Sequence, residues 1–113
     1  MECIFCKIVN KDLNTPIIFE NNTVIAFDDI NPQAPHHKLI IPRRHIATIN
    51  ELTPNDNEVV TQMLITAQHL AKELHLAEQG YRLVFNCNRQ GGQEVFHIHL
   101  HLLAGRQMQW PPG

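Results

Sequence analysis

The run Phe96-His97-Ile98-His99-Leu100-His101-Leu102-Leu103 decides how this chain reads. Side chains alternate across a β-strand, so an extended Val95 to Leu103 turns His97, His99 and His101 to one face and Ile98, Leu100 and Leu102 to the other. The apolar row demands a core behind it. The imidazole row is demanded by nothing in strand formation, since Thr or Lys would serve a solvated face better. Three such rings suit two kinds of chemistry: they can hold a metal, or one can attack an electrophile while its neighbours orient and protonate.

Working outward, Gly91-Gly92-Gln93 stands one loop upstream. A Gly-Gly pair alone is an ordinary turn. Next to an imidazole row it offers bare backbone N–H groups to an anion, with Gln93 as an added donor, and so points to phosphate rather than to a metal cage. Imidazole is a competent nucleophile toward phosphorus because its ordinary pKa leaves a free lone pair at neutral pH. Its other nitrogen then has to donate to a fixed acceptor, such as a backbone carbonyl. Attack would give a covalent phosphohistidine, stabilised by a flanking ring.

The remaining sequence supplies the frame. Ile4, Phe5 and Ile8 have helical spacing within Cys3 to Val9. Ile17 to Glu20 and Thr23 to Asp28 read as strands reversed at Asn21-Asn22, and His37 to Ile41 as a third strand after the proline-bearing loop 31–35. Thr53 and Pro54 open a long helix whose face runs Val59, Val60, Met63, Leu64, Ala67, Leu70, Ala71 and Leu74, with Gly80 closing the region. Tyr81 to Asn86 is a further strand. The expected fold is α+β: about five antiparallel strands carrying one long helix, all in one domain over residues 1–113.

Composition limits the partners. A net charge of −2 on 113 residues gives no basic footprint for nucleic acid or an anionic membrane. Without a spanning apolar run or a signal-like start, the expected compartment is the cytoplasm, and three cysteines fit reducing surroundings.

His97-Ile98-His99-Leu100-His101-Leu102-Leu103 resembles the His-φ-His-φ-His-φ-φ signature of the histidine triad (HIT) superfamily, φ being apolar. The likeness extends through residues 26–35, Leu39-Ile40-Ile41-Pro42, Asn86, Gly91-Gly92-Gln93 and the ending 104–113, and is strongest to the nucleotide-binding, nucleoside phosphoramidase branch. That resemblance implies a fold whose sheets join across a homodimer. It implies His99 as the nucleophile, His101 on the phosphate, and His97 and His37 completing an imidazole relay. Asp29 would bind the ribose hydroxyls, Phe5, Leu13, Phe27 and Ile30 would wall the purine, and Asn86, Gly92, Gln93 and Val95 would surround the phosphate. By side-chain chemistry alone the four apolar residues belong to a core, Asp29 to a turn and Asn86 to a strand-end cap.

Glu94 stands where animal members of the branch carry Ser. Beside a phosphate it could act as a proton donor; otherwise it is a solvated loop carboxylate. Cys3 and Cys6 form a C-x₂-C pair, which is either half of a zinc site or two packed thiols. Within the resemblance, His45 and His97 would complete a structural Cys₂His₂ zinc site. Cys87 reads as a buried thiol, and His36, His69 and His75 as surface or packing residues. The tail 106–113 would lie near the partner's nucleotide site, with Trp110 at the interface.

The implied activity is hydrolysis of purine nucleoside 5′-phosphoramidates, in which AMP or GMP is joined through nitrogen to an amine. Aminoacyl adenylates would also be substrates, and no cofactor is needed for the chemistry. The alternatives are a dinucleoside polyphosphate hydrolase or nucleotidyl transferase on the same fold, a purine-nucleotide-binding regulator with incidental turnover, and a zinc-stabilised interaction module.

Overall fold

The computed structural model describes residues 3–113. Helix α1 (Ile4–Val9) is followed by strands β1 (Ile17–Glu20), β2 (Val24–Asp28) and β3 (His36–Pro42), the long helix α2 (Asn57–Glu73), and strands β4 (Arg82–Val84) and β5 (Leu100–Ala104). The five strands form one antiparallel sheet in the order β1-β2-β3-β5-β4. Among the described residues no helix is long and apolar enough to cross a membrane.

Alternation along the strands divides the core in two. Val24, Ala26, Ile40, Leu100 and Leu102 face α2 and pack with Met63, Ala67 and Leu70, while Ile25, Phe27, Leu39 and Ile41 face α1 and pack with Phe5 and Ile8. Fully burying each large aliphatic side chain contributes about 1.5–3 kcal/mol, so both faces of the central strands stabilise the fold. The histidines share the α1 face.

Helix α2 begins a turn later than its apolar spacing predicts, because Thr53 caps a short 3₁₀ turn, Pro54–Asp56, in a capping box with Asp56. Its end is also different. His75 takes the left-handed conformation (φ 60°), and Leu76 N–H donates to Ala71 O while His75 N–H donates to Lys72 O. This is a Schellman closure with His where Gly is usual. Gly80 (φ 101°) lies beyond it.

Two strands are shorter than expected. β4 covers only Arg82–Val84, and β5 starts at Leu100 rather than Val95. Residues 95–97 bend instead, and Ile98 N–H leaves the ladder to donate to Ile46 O at 2.7 Å. Ile98 is nonetheless buried, which explains why the apolar alternation runs on past the true start of the strand.

Candidate active site and an adjoining thiol–imidazole cluster

Antiparallel pairing of β3 with β5 sets Leu39 opposite His101 and His37 opposite Leu103, which brings His37 and His101 together across the strands. The direction of each proton between them follows from one backbone group. Gln33 N–H donates to His37 Nδ1 at 3.0 Å, so that nitrogen holds a lone pair and the proton of a neutral ring sits on Nε2. His37 Nε2–H then donates to His101 Nδ1 at 2.8 Å, which leaves the proton of His101 on Nε2. The Asn86 carboxamide lies 3.4 Å from that nitrogen.

Both rings are biased toward the neutral form. Burial pushes His37 below the ordinary imidazole range against the pull of Asp29. Burial, then the neighbouring His99 and His37, pushes His101 down to about 4.

His99 is oriented in the opposite sense. Its Nδ1–H donates to His97 O at 2.8 Å, so its Nε2 carries the lone pair. Its ring stands 4.9 Å from that of His101 and 5.2 Å from that of Phe5. Burial lowers its pKa, opposed by the bond to the His97 carbonyl and by Asp29 and Glu94. A lone pair on one ring thus stands beside an N–H donor on the next, a pairing that lets one ring attack while the other donates a hydrogen bond to an oxygen on the same centre.

Asp29 does two jobs. Its Oδ1 accepts Asn31 N–H at 2.8 Å, forming the turn that sequence chemistry suggests, and its Oδ2 lies 3.4 Å from His37 Nε2. Phe5 and Phe27 are buried and meet edge to face at 5.5 Å. Leu13 and Ile30 are exposed, Ile30 almost completely at 98%, so neither belongs to the core that side-chain chemistry alone predicts.

Two expectations need correction. Gln93 does not offer its side chain to an anion: its oxygen accepts Asn88 N–H at 2.9 Å, and its nitrogen donates to Ala47 O at 2.7 Å and Val95 O at 3.0 Å. The backbone N–H groups of Gly92 and Gln93 are likewise bound within the loop, to Arg89 O and Asn88 O. The His97 ring, in turn, makes no hydrogen bond to His37, His99 or His101 among the described residues. The bend ahead of β5 carries it away from its neighbours, Phe5 contacts both its ring and that of His99, and its Nε2–H donates to Pro42 O at 2.8 Å.

The other nitrogen of His97 enters a different cluster. His97 Nδ1 lies 3.4 Å from Cys3 Sγ, 3.6 Å from Cys6 Sγ and 3.3 Å from His45 Nδ1, and Cys6 Sγ is 3.4 Å from His45 Nδ1. A tetrahedral zinc ion with ordinary bond lengths would separate S from N by about 3.6 Å and N from N by about 3.3 Å. The donor set fits that group in chemistry and in spacing. The outward Nε2–H of His97 on a backbone carbonyl is the support a metal-binding imidazole ordinarily has. His45, which sequence spacing alone does not single out, is placed here by the stretch that leaves β3.

Comparison with known proteins agrees with this geometry. The family described as Scavenger mRNA decapping enzyme C-term binding matches residues 2–110. The purine nucleoside phosphoramidase of Escherichia coli (strain K12) is 45% identical over 107 residues, covering 95% of this chain and 90% of that protein. The crystal structure of a HIT family hydrolase from Legionella pneumophila Philadelphia 1 superposes with a TM-score of 0.97 at 56% identity, covering 99% of this chain and 100% of that one. A Zn-bound histidine triad family protein from Mycobacterium smegmatis is 33% identical, with a TM-score of 0.80 over 94% of this chain and 76% of that one. Identity at this level across nearly whole chains reflects common descent and not fold alone, and on it this chain belongs to the histidine triad family.

Proposed function

We propose that the chain hydrolyses purine nucleoside 5′-phosphoramidates, AMP or GMP joined through nitrogen to an amine such as lysine, and that it also accepts aminoacyl adenylates. The observation that carries the reading is the pair of fixed tautomers, His99 with its Nε2 lone pair free and His101 with a proton on Nε2. His99 Nε2 attacks the α-phosphorus, the P–N bond breaks, and the amine leaves with a proton drawn from water, while neutral His101 donates its Nε2–H as a hydrogen bond to the phosphoryl oxygen and keeps that proton. Water then cleaves the nucleotidyl-histidine, releasing the mononucleotide and restoring the ring. Developing charge on the phosphoryl oxygens is met by N–H donors in a site of low polarity.

Around this centre, Asp29 binds the ribose, Phe5, Leu13, Phe27 and Ile30 wall the purine, and Asn86, Gly92 and Val95 shape the phosphate pocket. Gln93 acts as the scaffold of that loop. Glu94, whose charge acts on His99, is a second source for the leaving group's proton.

Cys3, Cys6, His45 and His97 would hold a zinc ion, whose part would be structural, since four protein ligands would leave it no open position. Burial, then the adjacent Cys3, pushes the Cys6 thiol up. The active unit is a homodimer in the cytoplasm, formed through the short edge strand β4 with exposed Trp110 at the contact.

The test is to react the protein with a slowly turned-over AMP phosphoramidate, map the nucleotidyl group, and assay His99→Ala. Label on His99 and loss of turnover in the variant are expected. Label elsewhere, or turnover retained by His99→Ala, would refute the mechanism. Diadenosine polyphosphates assayed in parallel separate P–N from P–O–P cleavage.

A further inference from the structure

We infer that His97 is a positioning residue through which the state of the Cys3–Cys6–His45–His97 cluster sets the tautomer and orientation of the nucleophile. The inference rests on the reading of His99 given above and adds a control point to it.

The link is a single peptide unit. The 97–98 peptide presents its carbonyl to His99 Nδ1–H at 2.8 Å and its N–H to Ile46 O at 2.7 Å. Each end therefore depends on a residue next to, or belonging to, the cluster: His97 carries the carbonyl, and Ile46 follows His45 directly. This peptide lies ahead of β5, so no strand ladder fixes its plane. What orients it is the side chain of His97, held at Nε2 by Pro42 O and at Nδ1 by the cluster, together with the backbone leading out of His45.

A cluster closed around an ion fixes both supports at once. An open cluster frees His97 to turn about its remaining bond, the carbonyl turns with it, and Nδ1 of His99 loses its acceptor. The Nε2–H tautomer of His99, which has no lone pair toward the substrate, then becomes populated.

Ion exchange has a route. A groove of about 490 Å³ opens against Cys3 and His45 and is bordered by Ile4, Leu13, Glu94 and Phe96. The cluster can thus be reached from solvent without unfolding, which makes its loading reversible and its effect on His99 a response rather than a fixed feature.

The experiment uses the full chain, stripped with a chelator and reloaded with Zn²⁺ or, for spectroscopy, Co²⁺. Loading is read from the absorption bands of tetrahedral S₂N₂ cobalt. The His99 tautomer is read from its ring ¹⁵N shifts at constant pH, and the chemical step from single-turnover nucleotidylation. Stripping is expected to move the His99 ring signals toward the Nε2–H form and slow nucleotidylation on the order of tenfold, with KM held within about twofold. Cys6→Ser should behave like the stripped protein at any zinc level, and His45→Cys, which keeps a ligand, should hold both readouts at their loaded values.

Absence of the cobalt bands would overturn the proposal, as would loaded and stripped protein with the same ring shifts and rates. Global unfolding on stripping would overturn it in favour of a purely structural role. If the ring signals respond but neither form becomes nucleotidylated, the coupling stands and the proposed phosphoramidase chemistry fails.

Discussion

Replacing Gln93 separates a scaffold from a substrate contact. The side chain is buried and makes three hydrogen bonds, to Asn88 N–H, Ala47 O and Val95 O. Each is worth about 1 kcal/mol net, so Gln93→Ala should cost about 3 kcal/mol. For a domain of this size that lowers the Tm by roughly 12 °C. Gln93→Glu is the sharper variant. One carboxylate oxygen still accepts Asn88 N–H, but the other replaces an N–H₂ donor and sets buried negative charge against two carbonyl oxygens, so the loss should be at least as large.

The assay is thermal unfolding of parent and both variants at one protein concentration, since any self-association would make Tm concentration-dependent. AMP binding is measured well below the lowest Tm. Large losses in Tm with a smaller, similar change in AMP affinity for both variants are expected. If Gln93→Glu melts within about 2 °C of the parent while AMP affinity falls more than about tenfold, the side chain faces the phosphate and the scaffold assignment is wrong.

Gln33→Pro removes the backbone N–H that holds His37 in its tautomer, whereas Gln33→Ala keeps it; kcat should fall about 10²-fold in the first and stay near the parent value in the second, as read by steady-state turnover of an AMP phosphoramidate. The folded-state pKa of His101 lies at about 4, below its unfolded value, so between the two the unfolded chain binds more protons. Stability should therefore fall as pH drops from near 6.5 toward 4, His37 acting in the same direction; urea midpoints across that window should decline less steeply in His101→Asn. Thr53→Ala deletes the cap that opens the 3₁₀ turn before α2 and should cost about 1 kcal/mol by urea unfolding, with turnover unchanged.

The sheet and the long helix were legible because their signals are periodic. Val24 to Phe27 and Met63, Ala67, Leu70 and Ala71 are buried as their spacing says they should be, whereas Leu64, expected on the same face, is exposed. The errors fall where a tertiary contact overrides a local pattern. Ile98 continues the apolar alternation but donates its N–H to Ile46, so the strand starts later than the pattern implies. Gln93 has the chemistry of a phosphate donor, and only the placement of Ala47 and Val95 shows that both ends of its amide are occupied. His75 ends α2 in a conformation that sequence reasoning assigns to Gly. Ile30 has the hydrophobicity of a core residue yet stands in solvent, a position set by the turn that Asp29 and Asn31 form.

His97 and His99 show how residues of equal parity come to serve different chemistry. Both are buried on the same side of the chain, and both give one ring N–H to a backbone carbonyl. What differs is which nitrogen is left over. His97 donates from Nε2, so its free nitrogen is Nδ1, close to the backbone, where it meets Cys3, Cys6 and His45. His99 donates from Nδ1, so its free nitrogen is Nε2, at the far end of the ring, where it can reach a substrate. The selection is made by the carbonyls: Pro42 O, at the end of β3, captures Nε2 of His97, and the carbonyl of His97 captures Nδ1 of His99. A ladder continued regularly through residue 97 would tie that carbonyl into the sheet and leave His99 without its acceptor. The bend before β5 is therefore what turns the free nitrogen of one histidine toward two thiols and leaves that of the next but one at the far end of its ring, as the proposed reading requires.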